Sequence, residues 1–348
     1  MHLVGEPIFK PYQRERFDVP AGQAEIVLSV LKEVQDVARI KTKLQEEYLS
    51  IILALKTMDV DFRIVCAHQD EIDTAAMLAC VGTLGCRLVG FPRDYFPPSV
   101  AYPRDFSTVL PGLVLINQGV QVLTEKKDGW VMVSSPFGEG GTIHAGNGVA
   151  IVCERVCRAW GQDGFRHLEP EDLIPLECAG VTVVRFPAFA SLAIVNLEIS
   201  NSCFSNNHID RVSAWLRGRD GKNHLLVDGN IVGTDWSAPS AQRPWRPMPP
   251  QQVFDELSRR CEPHQIAVHA APPYTTPYAL NLIQFPDSKV LMTGGEPALE
   301  ALVESIVGKG NVFTTKISIR FFPVWLYAGI RCLIGDYPEP LFKKLRPA

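Results

Sequence analysis

The stretch ALNLIQFPDSKVLMTGGEPALEALVESIVGKGNVFTTKIS, residues 279–318, contains one complete structural unit. Residues 279–286 and 289–295 are short apolar runs that predict a hairpin. Residues 296–310 carry apolar side chains at helical spacing and end in glycine, which predicts an amphipathic helix. Residues 311–318 then predict a final strand. Two strands, a helix and a strand form a ββαβ-like unit, which is typical of the α/β class.

The same alternation of strands and helices recurs along the chain, at intervals of roughly 55–70 residues. Strand-like residues 62–69 precede a predicted helix over 70–85 and a strand over 86–91. Further helices are predicted over 169–180 and 249–263, each between strand-like runs. We therefore predict one α/β domain made of repeated ββαβ-like units. The frequent hairpins argue against a doubly wound nucleotide-binding fold.

The N-terminal part of the chain, residues 1–60, has a different pattern. Residues 1–20 are rich in proline and charge and predict an irregular arm, whereas residues 23–58 have apolar side chains at helical spacing. That spacing predicts one long helix or two consecutive helices. We expect residues 1–60 to pack on a single main domain that covers 61–348, and we leave open a homo-oligomer contact or a lid formed by the helical segment.

Composition limits the classes of partner. The chain has 348 residues, 46% of them hydrophobic and 21% charged, with a net charge of −4. Because basic and acidic residues are mixed along the chain, we expect neither a nucleic-acid partner nor an anionic membrane. The longest apolar run, 321–335, is too short to span a bilayer and contains Arg331.

The cysteines and the N-terminal residues bear on the compartment. The nine cysteines have scattered spacing and are odd in number, which argues against a disulfide framework and for a reducing environment. The first residues lack the apolar segment of a secretory signal. We therefore predict a cytoplasmic protein.

The segment NNHID (206–210) places an imidazole and a carboxylate two residues apart. On an extended strand, His208 and Asp210 would point to the same face. Such a pair is either a satisfied buried polar pair or one half of a catalytic site.

Three other segments could carry chemistry, although each also has an ordinary interpretation. FGEGGTIHAGNG (137–148) is either a glycine-rich turn or a place where the backbone approaches another group closely. In AYPRDFSTVLPG (101–112), Arg104 and Asp105 could form a surface salt bridge. In YAGIRCLIGDYP (327–338), Cys332 is either an inert buried thiol or a thiolate beside an arginine.

Together these segments supply a thiol, an imidazole and three carboxylates. Carboxylates can hold a planar guanidinium cation by paired hydrogen bonds. A thiolate is a good nucleophile for its central carbon, and a histidine can protonate the leaving amine and then activate water. The set therefore indicates a guanidinium substrate.

In the same order, these segments resemble the motifs of the guanidino-group-modifying enzymes of the pentein fold, which include the agmatine and arginine deiminases. The family's R-D, E-G-G, H-x-D and G-x-R-C motifs correspond to Arg104-Asp105, Glu139-Gly140-Gly141, His208-Ile209-Asp210 and Gly329-Ile330-Arg331-Cys332. Tyr278-Ala279-Leu280-Asn281 also resembles a family segment. The resemblance implies a five-bladed α/β propeller of ββαβ units around a central active site, which agrees with the repeated pattern.

The resemblance also implies roles for individual residues. Cys332 would attack the guanidinium carbon, and His208 would act as general acid and then as general base. The guanidinium nitrogens would be held by Asp105 and Asp210, with Glu139 binding or orienting the substrate nearby. Arg104 and Arg331 complete the implied substrate-binding set. No metal and no organic cofactor is implied, and the partner would be a small guanidino compound.

Several reactions remain open at this point. The E-G-G motif favours the hydrolytic branch, in which water resolves the covalent adduct and ammonia and a ureido product are released. An amidinotransferase passes the same group to an amine, and some penteins only bind a partner. A metal hydrolase using His208, Asp210 and either His144 or Glu139 is a further alternative. Phe106-Ser107-Thr108 departs from the agmatine deiminase pattern, so the sequence leaves the exact substrate open.

Overall fold

The computed structural model describes residues 2–5, 16–34, 36–66, 79–90, 103–116, 125–127, 129–138, 140–157, 165–195, 198–235, 246–336 and 346–347. Its α-helices are α1 (Ala24–Glu33), α2 (Val37–Thr57), α3 (Pro103–Phe106), α4 (Ile174–Cys178), α5 (Pro250–Cys261), α6 (Pro297–Val307) and α7 (Phe321–Trp325). Its strands are β1 (His2–Gly5), β2 (Arg16–Pro20), β3 (Phe62–Cys66), β4 (Leu88–Gly90), β5 (Ser107–Leu110), β6 (Leu113–Ile116), β7 (Glu125–Lys127), β8 (Trp130–Ser134), β9 (Ile143–Gly146), β10 (Val149–Cys153), β11 (Arg155–Cys157), β12 (Phe165–His167), β13 (Thr182–Phe186), β14 (Phe189–Val195), β15 (Glu198–Asn206), β16 (Ser213–Arg217), β17 (Asn223–Asp228), β18 (Gly233–Asp235), β19 (Arg246–Met248), β20 (Ile266–Ala271), β21 (Ile283–Gln284), β22 (Val290–Met292), β23 (Val312–Thr314), β24 (Ile334–Asp336) and β25 (Arg346–Pro347).

The unit predicted over 279–318 is present in the structure. Strands β21 and β22 pair antiparallel, α6 follows, and β23 lies parallel to β22. Helix α6 buries Leu299, Val303 and Ile306, which lie three and four residues apart and so share one face. Each such aliphatic side chain contributes about 1.5–3 kcal/mol when it is fully buried. Local apolar periodicity was therefore sufficient to predict this unit.

Within the described ranges, five sheets repeat one pairing pattern, in which an antiparallel pair is followed by a strand parallel to its second member. Besides β21–β22–β23, the sets are β16–β17–β20 across α5, β9–β10–β13 across α4, β5–β6–β8, and β24–β1–β3 across α1 and α2. In the last set, a strand near the C-terminus and the first strand of the chain belong to one sheet.

Three local predictions need correction. The predicted irregular arm contains β1, which lies between β24 and β3, and β2, which pairs with β14. The apolar run SLAIVNLEI (191–199), which by itself predicts one strand, is divided between β14 and β15. Of the helix predicted over 70–85, residues 70–78 lie outside the described ranges, and residues 79–83 form a single π-helical turn. Strand β1 was missed because its pairing partners lie far away in the sequence.

Helices α1 and α2 share a hydrophobic core with β1, β3, β24 and α7. The ring of Tyr48 stacks near that of Phe322, and Leu44, Ile51 and Ile52 are fully buried in the same core. The helical segment predicted over 23–58 is thus two consecutive helices packed on this sheet, and the domain boundary at residue 60 stays a prediction. None of the helices in the described ranges has the length and apolar character needed to cross a bilayer.

Glu47 of α2 connects this helix to the segment that leads to Cys332. Its carboxylate accepts hydrogen bonds from the backbone N–H groups of Arg320, Phe321 and Phe322, at 2.6, 2.8 and 2.8 Å. Burial raises the pKa of Glu47 to about 7, although the three N–H donors oppose the rise. The N-terminus of α7 is therefore held by a carboxyl group that ionises near neutral pH.

This carboxyl group should make stability depend on pH. The pKa of Glu47 is higher in the folded state than in the unfolded chain. The contribution of Glu47 to the unfolding free energy is therefore fully present below about pH 4.5 and is lost as the pH rises through about 7. Relative to Glu47→Gln, the wild type should therefore lose about 2–3 kcal/mol of unfolding free energy between pH 5 and pH 8. Urea unfolding at both pH values measures this, with exposed Glu46→Gln as the control. Parallel pH dependences of wild type and Glu47→Gln would contradict the assignment.

Candidate active site

The four sequence motifs share one position in the fold. Each lies in a turn, or in the single helical turn α3, just before the first strand of a repeated unit. Helix α3 contains Arg104 and Asp105 and precedes β5, and the turn Gly140–Thr142 precedes β9. The turn Ile209–Arg211 precedes β16, and Cys332 lies in a turn before β24. Because equivalent turns lie at the same edge of each unit, residues far apart in sequence can meet there.

Two glycines allow the turn Gly140–Thr142 to approach the neighbouring turns closely. A Cβ atom on Gly140 would lie 2.1 Å from the backbone oxygen of Arg104. A Cβ on Gly141 would lie 2.5 Å from His208 Nδ1 and 2.8 Å from Asp210 Oδ1. Any larger residue would displace the imidazole or the carboxylate. The glycine pair therefore serves close backbone approach, one of the two interpretations of this segment.

The remaining turns are also in contact, and together the contacts form a closed circuit. Asn281, in the turn before β21, donates from Nδ2 to the backbone oxygen of Asp210 at 3.1 Å. A Cβ on Gly329 would lie 2.3 Å from Asn281 Oδ1, and a Cβ on Gly335 would lie 2.8 Å from Pro103. The turns of all five units are thus in contact, in the order in which the chain runs.

Asp210 is fully buried, and its two carboxylate oxygens differ. Oδ2 accepts a hydrogen bond from Arg331 Nη1 at 3.3 Å and lies 3.6 Å from Cys332 Sγ. Oδ1 has no hydrogen-bond partner among the described residues and faces Gly141 and His208. Because a buried carboxylate oxygen without a donor is costly, this atom is suited to receive an N–H group from a ligand.

Arg331 is a buried cation whose guanidinium group is bound by protein atoms. Nη1 donates to Asp210, and Nη2 donates to the backbone oxygen of Ile143 at 2.8 Å. Burial and nearby Arg104 lower the pKa of Arg331 to about 10, whereas Asp210 acts in the opposite direction. These contacts hold Asp210 beside Cys332, and the predicted role of Arg331 in binding substrate stays a prediction.

Cys332 is 6% exposed, and polar atoms surround its sulfur. Asn281 Nδ2 donates to Sγ at 3.4 Å, and Asp210 Oδ2 lies 3.6 Å away. The backbone N–H of Cys332 donates to Asn281 Oδ1 at 3.3 Å. The sulfur therefore lies in a polar environment instead of the apolar one that is typical of inert buried cysteines.

His208 is half-buried and immediately precedes the turn Ile209–Arg211, with backbone angles φ −80° and ψ 85°. The extended-strand geometry considered for His208 and Asp210 does not apply, because β15 ends at Asn206. The turn nevertheless places both side chains next to Gly141. The imidazole and the carboxylate therefore lie at the same place without an extended backbone.

His144 lies behind this turn. Ser213 donates its hydroxyl proton to the backbone oxygen of Ile209 at 2.7 Å, so its Oγ accepts from His144 Nε2 at 3.0 Å. Burial lowers the pKa of His144 well below its usual value, and Arg331 and Arg104 lower it further. A neutral His144 thus braces the turn that carries Asp210.

The other predicted site residues are placed as follows. Arg104 is buried and its Nη1 lies 3.6 Å from Asp336 Oδ2, so it does not form the surface salt bridge considered from the sequence. Asp105 lies in α3, but its side chain is outside the described part of the structure, and Glu139 is outside the described residues altogether. Their roles in binding substrate stay predictions.

Two residues of the site, Asn281 and His144, had no assigned role in the predicted thiol chemistry. The sequence signal for Asn281 was the resemblance of Tyr278-Ala279-Leu280-Asn281 to a family segment, and the structure places it in the turn before the first strand of a unit, like the four motifs. His144 was considered only as a metal ligand. The described residues contain no group of three or more His, Cys, Asp or Glu side chains arranged to hold a metal ion.

Comparison with known proteins shows similarity in structure but not in sequence. No protein-family model matches the chain, and no curated protein matches it. A candidate agmatine deiminase solved in a structural genomics programme has a TM-score of 0.51 at 15% identity, over 97% of this chain and 92% of that one.

Two further solved structures are also similar. A dimethylarginine dimethylaminohydrolase adduct with S-methyl-L-thiocitrulline has a TM-score of 0.46 at 15% identity, covering 87% of this chain and 90% of that one. The inosamine-phosphate amidinotransferase of Streptomyces griseus has a TM-score of 0.46 at 10% identity, covering 96% and 92%. The structure with the TM-score of 0.51 shows that the chain has a mixed α/β fold like that of the candidate agmatine deiminase, so the resemblance stated from the sequence is confirmed at the level of the fold.

Proposed function

We propose that this chain, whose fold is that of the guanidino-modifying penteins, is a hydrolase of a small arginine-like guanidino compound. The observation that carries the proposal is the position of Asp210. One of its oxygens lies beside the Cys332 sulfur, and the other is buried next to His208 with no donor among the residues that the structure describes. A guanidinium N–H that binds to Oδ1 would bring its central carbon to the thiol and the imidazole.

The first half of the proposed reaction forms a covalent adduct. The Cys332 thiol releases its proton to solvent, and the sulfur bonds to the guanidinium carbon while His208 is still protonated. His208 donates a proton to the departing nitrogen, so that the carbon–nitrogen bond breaks and ammonia leaves. The positive charge of the substrate favours the thiolate, since a cation beside the sulfur offsets the carboxylate of Asp210.

The second half releases the product. Water attacks the carbon of the thiouronium adduct, and His208 accepts its proton. The carbon–sulfur bond breaks, and the hydroxyl proton of the carbon passes to the departing sulfur, which restores the Cys332 thiol and leaves a ureido product. One water is consumed and one ammonia is released in each turnover, and no redox step is required.

We also propose that the five repeated units close into a five-bladed α/β propeller. The circuit of contacts among the five turns supports this arrangement, since it runs from Arg104 through Gly141, Asp210 and Asn281 and back through Gly335 to Pro103. Such a ring would place the turns of Arg104, Gly141, Asp210 and Asn281 around the same central site as Cys332.

A panel of guanidino compounds tests the proposed reaction. The enzyme is incubated with arginine, agmatine, methylarginines, guanidinoacetate and a blocked arginyl peptide, and ureido product and released nitrogen are measured separately. We expect at least one compound to give ureido product and ammonia, or an alkylamine, in equal amounts. Cys332→Ser should be inactive, whereas exposed Cys178→Ser should be unaffected.

Other outcomes of the panel would contradict the proposal. Transfer of the amidino group to ornithine or putrescine without ammonia would indicate an amidinotransferase. Activity lost with a chelator and restored by zinc would indicate a metal hydrolase. A panel in which every compound fails would favour a binding protein.

A further inference from the structure

Asn281 has contacts that the proposed roles of Cys332, His208 and Asp210 leave unexplained. Its side chain is 2% exposed. Oδ1 accepts hydrogen bonds from the backbone N–H groups of Arg331 and Cys332, at 2.8 and 3.3 Å. Nδ2 donates to the backbone oxygen of Asp210 at 3.1 Å and to Cys332 Sγ at 3.4 Å. All four hydrogen-bonding positions of the amide are therefore used within the site.

The amide orientation follows from these partners. The two backbone N–H groups require an acceptor, and the carbonyl of Asp210 requires a donor, so oxygen and nitrogen cannot be exchanged. The N–H directed at the sulfur is thus fixed by three neighbouring backbone groups. A donor that is held in this way stabilises a developing negative charge more than a donor that must first reorient.

The surrounding structure holds Asn281 in place. The backbone N–H of Asn281 donates to Tyr278, which has a left-handed conformation with φ 54° and whose own N–H donates to Gln23 Oε1 at 3.0 Å. Gly329 packs directly against the Asn281 side chain, and a Cβ there would lie 2.3 Å from Oδ1. These contacts restrict both the turn and the side chain.

We infer that Asn281 is a further catalytic residue, which stabilises the Cys332 thiolate through Nδ2–H and holds the nucleophile loop against Asp210 through Oδ1. It is the contribution of the β21–β22–β23 unit to the site, since its turn occupies the place that the four motifs occupy in the other units. The inference rests on the proposed function only in that Cys332 is the reacting group.

The test measures the reactivity of Cys332 directly. The rate of iodoacetamide alkylation at Cys332 is followed by peptide mass spectrometry between pH 5 and pH 10 in the full chain. Asn281→Asp keeps the acceptor but replaces the donor with a negative charge. The midpoint of the curve of alkylation rate against pH should therefore move up by at least about one pH unit. The rate at pH 7 should fall about 10-fold or more. Asn281→Ala should shift the midpoint in the same direction by less.

Controls separate this role from a merely structural one. Asn223→Asp makes the same change at a partly exposed asparagine that accepts from Asn147, and it should leave the profile unchanged. If Asn281→Asp does not fold, uncharged Asn281→Ser replaces it, because its hydroxyl is too short to reach the sulfur; an upward shift as small as that of Asn281→Ala is then expected. An unchanged midpoint in folded Asn281 variants would overturn the inference, even if the guanidino panel succeeds. A shifted midpoint supports it, even if every compound of the panel fails.

Discussion

Replacing Cys332 with serine is expected to lower turnover of the guanidino substrate by about 10⁴-fold or more, because removing the nucleophile of a catalytic set costs nearly as much as removing the whole set. A serine hydroxyl is nearly isosteric with the thiol, so the contacts of Asn281 and Asp210 with this position remain possible. Substrate affinity should therefore change little. Steady-state kinetics and a direct binding measurement separate the two effects.

Covalent trapping makes this prediction more specific. Acid quenching of the wild type during turnover should reveal an adduct on the peptide containing Cys332, with the mass of the substrate less ammonia, whereas Cys332→Ser should give none. Cys178→Ser is the matched control, since Cys178 is an exposed free cysteine on α4. Normal turnover by Cys332→Ser would refute a thiol mechanism.

Replacing His208 with asparagine is expected to lower turnover about 10²–10⁴-fold, which is the usual contribution of one positioned acid–base group. Asparagine keeps a polar side chain beside Gly141 and Asp210 but cannot transfer a proton in either half of the reaction. Because His208 is half-buried and lies outside the apolar core, stability should be nearly unchanged. Comparison of kcat, substrate affinity and the thermal midpoint tests this.

A substrate with a better leaving group distinguishes proton transfer from positioning. An S-alkylisothiourea loses a thiol that needs no protonation, so His208→Asn should form the Cys332 adduct with it at a rate much closer to that of the wild type. Exposed His264→Asn is the control and should behave as the wild type with both substrates. If His208→Asn lowers the rate of adduct formation equally with both substrates, His208 positions the substrate instead of acting as an acid.

The parts of the fold that could be predicted from sequence are those with local signals. The β21–β22–α6–β23 unit was predicted because its hairpin, its amphipathic helix and its terminal glycine lie within one short stretch. The pairing of β1 with β24 was missed, since it joins opposite ends of the chain and leaves no periodic pattern. Sequence periodicity reports which face of an element is buried, but not which distant element covers it.

The candidate site divides in a similar way. The sequence by itself determined which functional groups are available and thereby predicted the proposed chemistry, because Cys332, His208 and Asp210 supply a thiol, an imidazole and a carboxylate suited to a guanidinium group. Only the tertiary structure decided their partners: Arg331 binds Asp210, and Asn281 contacts the sulfur. The reason is that functional groups belong to single residues, whereas hydrogen bonds between turns depend on which units the folded chain brings together.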